Sequence, residues 1–403
     1  MRVLVLDGNQ NQAVASVREL AAAGHRVLAG ECVSWSKAGL SRFSHQSFRY
    51  PDPRCDVDGF VRAIADITAA EPGTLILPMT EATSLPISAH RNILTSAGGR
   101  LVLPDHDDLL RACDKNHTTC LAARLGFAVP ETRTIHSEDE ARRIANSIRY
   151  PVVLKPRSSQ ELMERGELRT TGRPRYASTP VQFLEAFRQV SRRASAVLVQ
   201  EYVPGSGTGY FALMCKGELR AEFAHKRIRD VYPTGSGSAL RVSVAPDPEL
   251  RRAALAILQA LKWHGVAMVE FRQKPGERAV FIEVNGRFWH SLPLACYAGI
   301  SFPVLLATMA ENGDVNSPPP YRTELKCRWM VGDFRHLLEV WRGAPAGFPD
   351  AYPKKLRSTL AFLTPERGMR HDLFRWDDPL PELGDWVHFS TVVWRERFKG
   401  TKS

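Results

Sequence analysis

The chain has 403 residues, 44% hydrophobic and 24% charged, which excludes a disordered segment and is too long for one ordinary core, so two or three domains are expected. Its 54 Lys+Arg against 43 Asp+Glu leave a formal charge of +11, but the basic residues are spread along the chain without a like-charge block. That pattern is read as serving anionic small molecules, with no nucleic acid as partner. Seven cysteines, odd in number and without a Cys-x-x-Cys pair, suit reduced thiols in a cytoplasmic protein. The N-terminus is too short and too soon interrupted to read as a signal peptide, and no apolar run reaches the roughly 18 residues of a membrane span, so no membrane is expected.

The first hundred residues alternate short apolar runs with helical patterns. Residues 3–6 form a buried-strand run ending at Asp7-Gly8. A helical stretch follows, with Val14, Val17, Leu20 and Ala21 on one face and Gly24 closing it. Residues 26–30 read as a strand, 60–69 as a helix, and 74–78 and 100–104 as two more strands. Such alternation implies a parallel sheet with helices on its faces. The first turn, Gly8-Asn-Gln-Asn-Gln, lacks the Gly-x-Gly-x-x-Gly needed for close approach to a dinucleotide pyrophosphate. This domain, residues 1–105, is therefore expected to be a scaffold that contributes to a substrate pocket.

Beyond it, residues 109–125 read as one helix closed by Gly126, 132–135 as a strand, and 137–148 as a helix with Ser137 and Glu140 in a capping box. Residues 151–156 are a strand that ends in Lys155. Residues 157–178, rich in Gly, Thr, Ser and charge, have no clean period and read as a mobile lid. A helix at 181–190 precedes strands at 196–203, 209–215, 219–225 and 240–244. A helix at 250–261 leads to a hairpin-like pair at 266–272 and 279–284, turning around Lys274-Pro275-Gly276. From about Asn316 the composition shifts to Pro, Trp, Arg and Lys, and no fold is assigned to residues 313–403.

Chemistry concentrates in the hairpin-like pair. On a strand Glu283 and Asn285 share a face, and Glu270 can lie opposite them if the strands pair. Two carboxylates and an amide oxygen are hard ligands of the kind Mg²⁺ takes together with phosphate oxygens. Arg287 then sits beside the same point as a fixed cation. The competing reading is a pair of edge strands with ordinary solvated acids. Lys155 at a strand end and Lys115 in a helix suit a nucleotide phosphate, though for either lysine alone the reading as a snorkelling surface residue wins. Residues 197–203, ending Gln200-Glu201-Tyr202-Val203, can offer backbone groups to an adenine edge, or can simply end at the Pro204-Gly205 turn.

Taken in order and at these intervals, Lys115, Lys155, Gln200 to Val203, Glu270 and Glu283-x-Asn285-x-Arg287 resemble the ATP-grasp superfamily. The likeness is to carboxylate–amine ligases related to biotin carboxylase and the carbamoyl-phosphate synthase large chain, over about residues 75–300. It implies an α/β and α+β multidomain fold: an N-terminal parallel α/β pre-ATP-grasp domain, then a two-lobed ATP-grasp domain with antiparallel sheets. The latter would span residues 106–312, with a smaller central lobe at about 125–203.

The resemblance implies ATP and Mg²⁺, with Mn²⁺ as a substitute, and small-molecule carboxylate and amine substrates. A homodimer is left open. Lys115 and Lys155 would contact phosphates. Gln200, Glu201, Tyr202 and Val203 would form the adenine hinge, and Glu270, Glu283 and Asn285 would hold the metal. Arg287 would steady the acyl phosphate. His225, Arg227 and Arg229 should share one strand face, with His225 near the nucleotide and Arg227 and Arg241 neutralising phosphates or the substrate carboxylate. Two departures stand out. Ser206-Gly207-Thr208 occupies the place where many members carry a ribose-binding acid, and Gly286 replaces the proline of Glu-x-Asn-Pro-Arg. The alternatives are a phosphotransferase of the same fold and a catalytically silent nucleotide-binding protein.

Overall fold

The computed structural model describes residues 1–399 except 163–166 and 275. Its first unit is built from β1 (Arg2–Val5), α1 (Asn11–Ala22), β2 (Arg26–Glu31), β3 (Gln46–Arg49), α2 (Val57–Ala69), β4 (Leu75–Leu77), α3 (Glu81–Ala89) and α4 (Arg91–Ser96). The strands run parallel in the order β3-β2-β1-β4, as the apolar runs separated by helices predict. β3 escaped the sequence reading because Gln46–Arg49 is polar and lies at the exposed edge. Residues 100–104 form no full strand: Arg100 makes an isolated bridge to Leu75. Helix α1 is buried on nearly every side, because later helices pack against the face that a scaffold helix would show to water.

The expected helix at 109–125 is two, α5 (His106–Cys113) and α6 (Lys115–Arg124). Asp114 breaks it. Its backbone turns extended, and its carboxylate accepts the N–H groups of Asn116 and His117, so one helix ends and another is capped at the same residue. The break brings Lys115 to the first turn of α6 instead of the middle of a helix.

The central lobe contains β5 (Thr132–Ile135), α7 (Glu138–Ile144), β6 (Val152–Pro156), β7 (Gln160–Leu162), β8 (Leu168–Thr170), β9 (Arg175–Ala177), α8 (Pro180–Ser191) and β10 (Val197–Glu201). Its antiparallel sheet has the order β5-β10-β6-β9, covered by α7 and α8 around Ile135, Leu154, Phe183, Phe187 and Val199. Half of the capping box before α7 is formed: Ser137 Oγ accepts the Glu140 N–H, while the Glu140 carboxylate accepts the N–H of His136, one residue before the cap. The expected lid at 157–178 is more ordered than predicted. It folds into the β7–β8 hairpin and then joins the sheet as β9, while residues 163–166 of that stretch lie outside the described residues.

The large lobe contains β11 (Ser206–Cys215), β12 (Glu218–Tyr232), β13 (Ser236–Val244), α9 (Pro248–Ala260), β14 (Gly265–Gln273), β15 (Val280–Asn285), α10 (Leu292–Ala298) and α11 (Phe302–Asn312). The chain ends with β16 (Lys326–Arg328), α12 (Met330–Arg342), α13 (Lys355–Leu363), β17 (Arg370–His371) and α14 (Leu380–Lys399). Seven strands form one sheet, β15-β14-β11-β12-β13-β16-β17. Period-two alternation divides its side chains between two cores. Tyr210, Ala212 and Met214 face Trp263 and α9. Phe211 and Leu213 face the other way, into a core shared with α1, α10 and α11 of the neighbouring units.

The C-terminal region thus completes this sheet with its last two strands. Its tryptophan-rich composition hid that, because β16 and β17 are only three and two residues long. Pro275 of the expected hairpin turn lies outside the described residues. Among the described residues no single helix is long and apolar enough to cross a membrane.

Candidate functional site

A cleft of about 390 Å³ lies between the central and large lobes. It is lined by Lys115, Lys155, Gln200 to Val203, His225, Arg227, Glu270, Glu283, Asn285 and Arg287, twelve of the thirteen residues singled out from the sequence. The missing one is Arg241.

The floor is the β14–β15 pair. Glu270 and Glu283 are Cα partners, and Met268 faces Asn285. A register shift after Glu270 lets Phe281 turn into the core while Ile282, Glu283 and Asn285 line the cleft. Asn285 donates to Glu283 (3.1 Å), and Arg287 donates to the Asn285 amide oxygen (3.1 Å). Gly286 has a local cause: a Cβ there would stand 2.4 Å from the Trp263 ring. The residue follows from close packing of the strand end on that indole, and the spacing of Asn285 and Arg287 is kept.

Charges are arranged in opposition. Lys115 lies 3.6 Å from a Glu283 oxygen and donates to Ser159 (3.1 Å). Burial pushes the Glu283 carboxyl up, but the Lys115 and Lys155 ammoniums outweigh it and hold the group down at about 2. Glu270 goes the other way: burial and the adjacent Glu283 charge raise it despite its 2.7 Å ion pair with Arg227. Lys155, 5% exposed at the end of β6, is pushed down to about 8 by burial, with Lys115 adding to the effect. Six cations (Lys115, Lys155, Arg173, Arg227, Arg272, Arg287) and three carboxylates (Glu201, Glu270, Glu283) line the cleft, an excess that suits a polyanion.

Two carboxylates of split titration and an amide oxygen on adjacent strands form a donor set that could hold a hard divalent cation. Among the described residues no three His, Cys, Asp or Glu side chains cluster as a metal site, so such an ion would need oxygens from a bound phosphate as well.

The hinge strand is held from both sides. Glu201 donates its N–H to the Glu131 carbonyl (2.8 Å), and Tyr202 donates its N–H to that of Pro151 (3.2 Å). The Gln200 amide donates to Thr132 (2.9 Å). The Tyr202 hydroxyl donates to Asp350 (2.5 Å), and its ring meets Tyr176 and Phe348 edge-on. The C-terminal region therefore reaches the hinge, which sequence spacing gave no means of seeing.

Two expectations are corrected here. Arg229 does not share a face with His225 and Arg227, because register shifts on either side of it in the β12–β13 pair rotate it away. It makes a bidentate pair with Asp333 instead. Arg241, opposite Arg227 in register, is fully buried and gives its guanidinium to Asp372 just beyond β17. Its partner lies 131 residues away, beyond any local signal. His225 lines the cleft but is 1% exposed and shares a 2.7 Å hydrogen bond with Ser291. Burial, with Arg227 and Arg241 nearby, keeps its imidazole neutral. Sequence reasoning missed Tyr176, Arg272 and His290, which also line the cleft.

Known proteins resemble this chain in sequence over part of its length and in fold over most of it. Residues 193–332 match the family model described as ATP-grasp in the biosynthetic pathway with Ter operon. The carbamoyl phosphate synthase large chain, N-terminal section, of Methanopyrus kandleri is 28% identical over 207 residues, covering 48% of this chain and 34% of that protein. The chain thus spans about a third of that curated relative. Among solved structures, the biotin carboxylase domain of Hydrogenobacter thermophilus 2-oxoglutarate carboxylase, in complex with MgADP and bicarbonate, superposes with a TM-score of 0.62. The identity is 15%, covering 81% of this chain and 73% of that one. The L-amino acid ligase of Bacillus licheniformis gives a TM-score of 0.57 at 15% identity, covering 77% and 74%. At these identities the structural likeness is one of fold.

Proposed function

For a chain that carries an ATP-grasp domain homologous to those of carbamoyl phosphate synthase large chains, we propose an ATP-dependent ligase that activates a carboxylate as an acyl phosphate and passes the acyl group to an amine. The observation that carries this reading is the convergence of Lys115, Lys155, Glu270, Glu283, Asn285 and Arg287 on one cleft from three separate parts of the chain. ATP would lie with its adenine against the strand ending Gln200-Glu201-Tyr202-Val203 and its phosphates toward Lys115 and Lys155. A divalent cation at Glu270, Glu283 and Asn285 would supply charge neutralisation between the terminal phosphates.

The chemistry joins two anions, and the chain's own groups lower that barrier. A carboxylate oxygen attacks the γ-phosphorus, and ADP leaves with the bridging electron pair. Lys155 is desolvated, so its charge acts at low dielectric on the phosphates. Arg287 meets the substrate carboxylate and then the tetrahedral adduct formed when the amine nitrogen attacks the acyl carbon. Phosphate departs with the C–O electron pair, and the nitrogen gives up a proton. Ser159 and Arg173, from the segment between β6 and β9, close the cleft over the phosphates and exclude water from the acyl phosphate. A second copy of the chain is compatible with this reading, since the carboxylase domain with the same fold is a dimer.

The test is ADP release against panels of carboxylates and amines with Mg²⁺, followed by mass spectrometry of products. An amide product in step with ADP supports the ligase. A phosphorylated acceptor with no amide would make the protein a phosphotransferase.

A further inference from the structure

Acyl transfer to an amine leaves a surplus proton on nitrogen, and none of the groups assigned above takes it. The carboxylates that line the cleft are Glu201, Glu270 and Glu283. Glu201 is exposed at the end of the hinge strand, while Glu270 is held by Arg227 and Glu283 lies beside Lys115. Carboxylates that hold a divalent cation are poor bases, because the ion's charge opposes a proton. The base has to come from elsewhere in the cleft wall.

Ser291 and His225 form a pair of the right kind. Both line the cleft, at 4% and 1% exposure, and they share a 2.7 Å hydrogen bond between Ser291 Oγ and His225 Nε2. Ser291 follows Arg287 by four residues and stands at the N-cap of α10, where a serine ordinarily accepts an N–H of the first turn. Its hydroxyl makes no such bond. It is given to the imidazole instead. His225 Nδ1 is buried without a partner, and the residue's own carbonyl favours a proton on the ring. With that proton on Nδ1, Nε2 is left to accept from the serine. Burial, against the Phe211 ring (centroids 4.7 Å apart) and beside Arg227 and Arg241, keeps the imidazole neutral in the empty cleft. ADP and an acyl phosphate bring negative charge that offsets those two cations and lowers the cost of charging the ring. His290 also lines the cleft, but it stacks on Trp329 (4.2 Å), and its carboxylate neighbour Asp372 is 4.0 Å away and already holds Arg241.

We propose that Ser291 accepts the proton of the attacking nitrogen while passing its own to His225 Nε2, making the pair the base of the acyl-transfer step. This rests on the ligase reading and adds the residue that touches the nucleophile. The neutral amine forms the N–C bond, its surplus proton moves to Ser291 Oγ, and the serine's proton moves to Nε2. When the C–O bond breaks, its electron pair leaves with the phosphate, and the proton returns through Ser291 to that phosphate. The pair ends as it began. Ser291 is the catalytic member, and His225 acts through it.

The experiment compares two kinds of nucleophile on the full chain with ATP, Mg²⁺ and a panel of carboxylates: alkyl amines, and hydroxylamine, a far weaker base that attacks acyl phosphates unaided. Amide is read by mass spectrometry and hydroxamate by its coloured ferric complex. Ser291→Ala should lower amide formation by about 100-fold or more relative to hydroxamate formation in the same variant. His225→Gln keeps an oxygen for the Ser291 hydroxyl but has no basic nitrogen, and it should show the same skew. His290→Gln should keep the wild-type ratio. The two products falling together in both variants would overturn the proposal and make the pair structural. An unchanged ratio, a skew in His290→Gln alone, or a wild-type chain that makes hydroxamate and no amide would overturn it as well, while leaving carboxylate activation standing. A wild-type chain that makes neither product would defeat the ligase reading itself, and the proposal with it.

Discussion

Glu270 and Glu283 face each other across β14 and β15, and Arg227 holds one while Lys115 lies beside the other. Two like charges in so dry a place repel, and the cations on either side make the arrangement tolerable. A divalent ion would remove the repulsion, so the pair's cost to folding and its use in binding have the same origin. Glu283→Ala should lower ADP release by at least about 100-fold and lower the melting temperature modestly, since Lys115 and Lys155 lose the carboxylate that they hold ionised. Steady-state assays over a Mg²⁺ titration, beside thermal denaturation, check both halves. A variant with normal Mg²⁺-dependent turnover would refute the metal assignment.

Lys155 makes nucleotide affinity depend on pH. Its ammonium is depressed from 10.5 to about 8, first by burial, and bound phosphates favour the charged form. Nucleotide binding should then be level from pH 6 to 7.5 and weaken above pH 8, by up to about tenfold per pH unit. The unliganded fold responds with the opposite sign. Between about pH 8 and 10.5 the unfolded chain binds more protons at this site, so this contribution to stability rises with pH. Lys155→Met should bind nucleotide weakly with a flatter profile. Calorimetry with a non-hydrolysable ATP analogue across this range gives the slope. An unchanged profile in the variant would show that another group titrates.

How much of this was legible in the sequence depended on distance along the chain. Glu283, Asn285 and Arg287 lie within five residues, and period-two alternation was enough to place the first two on one face. The N-terminal parallel sheet was legible for the same reason, since buried parallel strands read as apolar runs. Pairings across more than a hundred residues were not legible. Arg241 reads as a free cation until Asp372 is brought to it, and Arg229 reads as a neighbour of Arg227 until register shifts turn it to Asp333. Asp114 lies between these cases. A carboxylate within a helical pattern carries a capping signal, but its 2.5 Å pair with Arg157 from the end of β6 is tertiary.

The C-terminal region should act on the hinge through Tyr202 and Asp350. Their hydrogen bond, the contact of Ser178 with the Gly347 carbonyl (2.9 Å) and the ring of Phe348 against Tyr176 fasten residues 347–350 to the central lobe. Asp350→Ala removes the acceptor and leaves the Tyr202 hydroxyl unpaired, at a cost of about 1–3 kcal/mol. Tyr202→Phe removes the donor from a partly exposed pair and should cost less. The expected functional signature is a raised KM for ATP with kcat less affected. Kinetics of the two variants, with denaturant unfolding for stability, separate a hinge effect from general loosening. Equal and unchanged KM values would mean that the contact does not bear on the nucleotide.

Arg241 and Asp372 should prove structural. Both side chains are fully buried, and Asp372 also accepts from Asn11 of α1 (3.1 Å) and from the Cys327 thiol (3.1 Å). One carboxylate therefore ties β13, β16 and the N-terminal unit together. Removing one partner leaves a charge without compensation in a dry core, whereas replacing both can be nearly neutral. Asp372→Ala should destabilise the protein by about 3–5 kcal/mol, read from urea unfolding. The Arg241→Met/Asp372→Leu pair should recover a good part of that loss. If Arg241 instead served the substrate, the double variant would fold well and show kcat/KM reduced by orders of magnitude. Near-normal kcat/KM in the refolded double variant is the expected result, since the guanidinium has its partner in Asp372 and does not line the cleft.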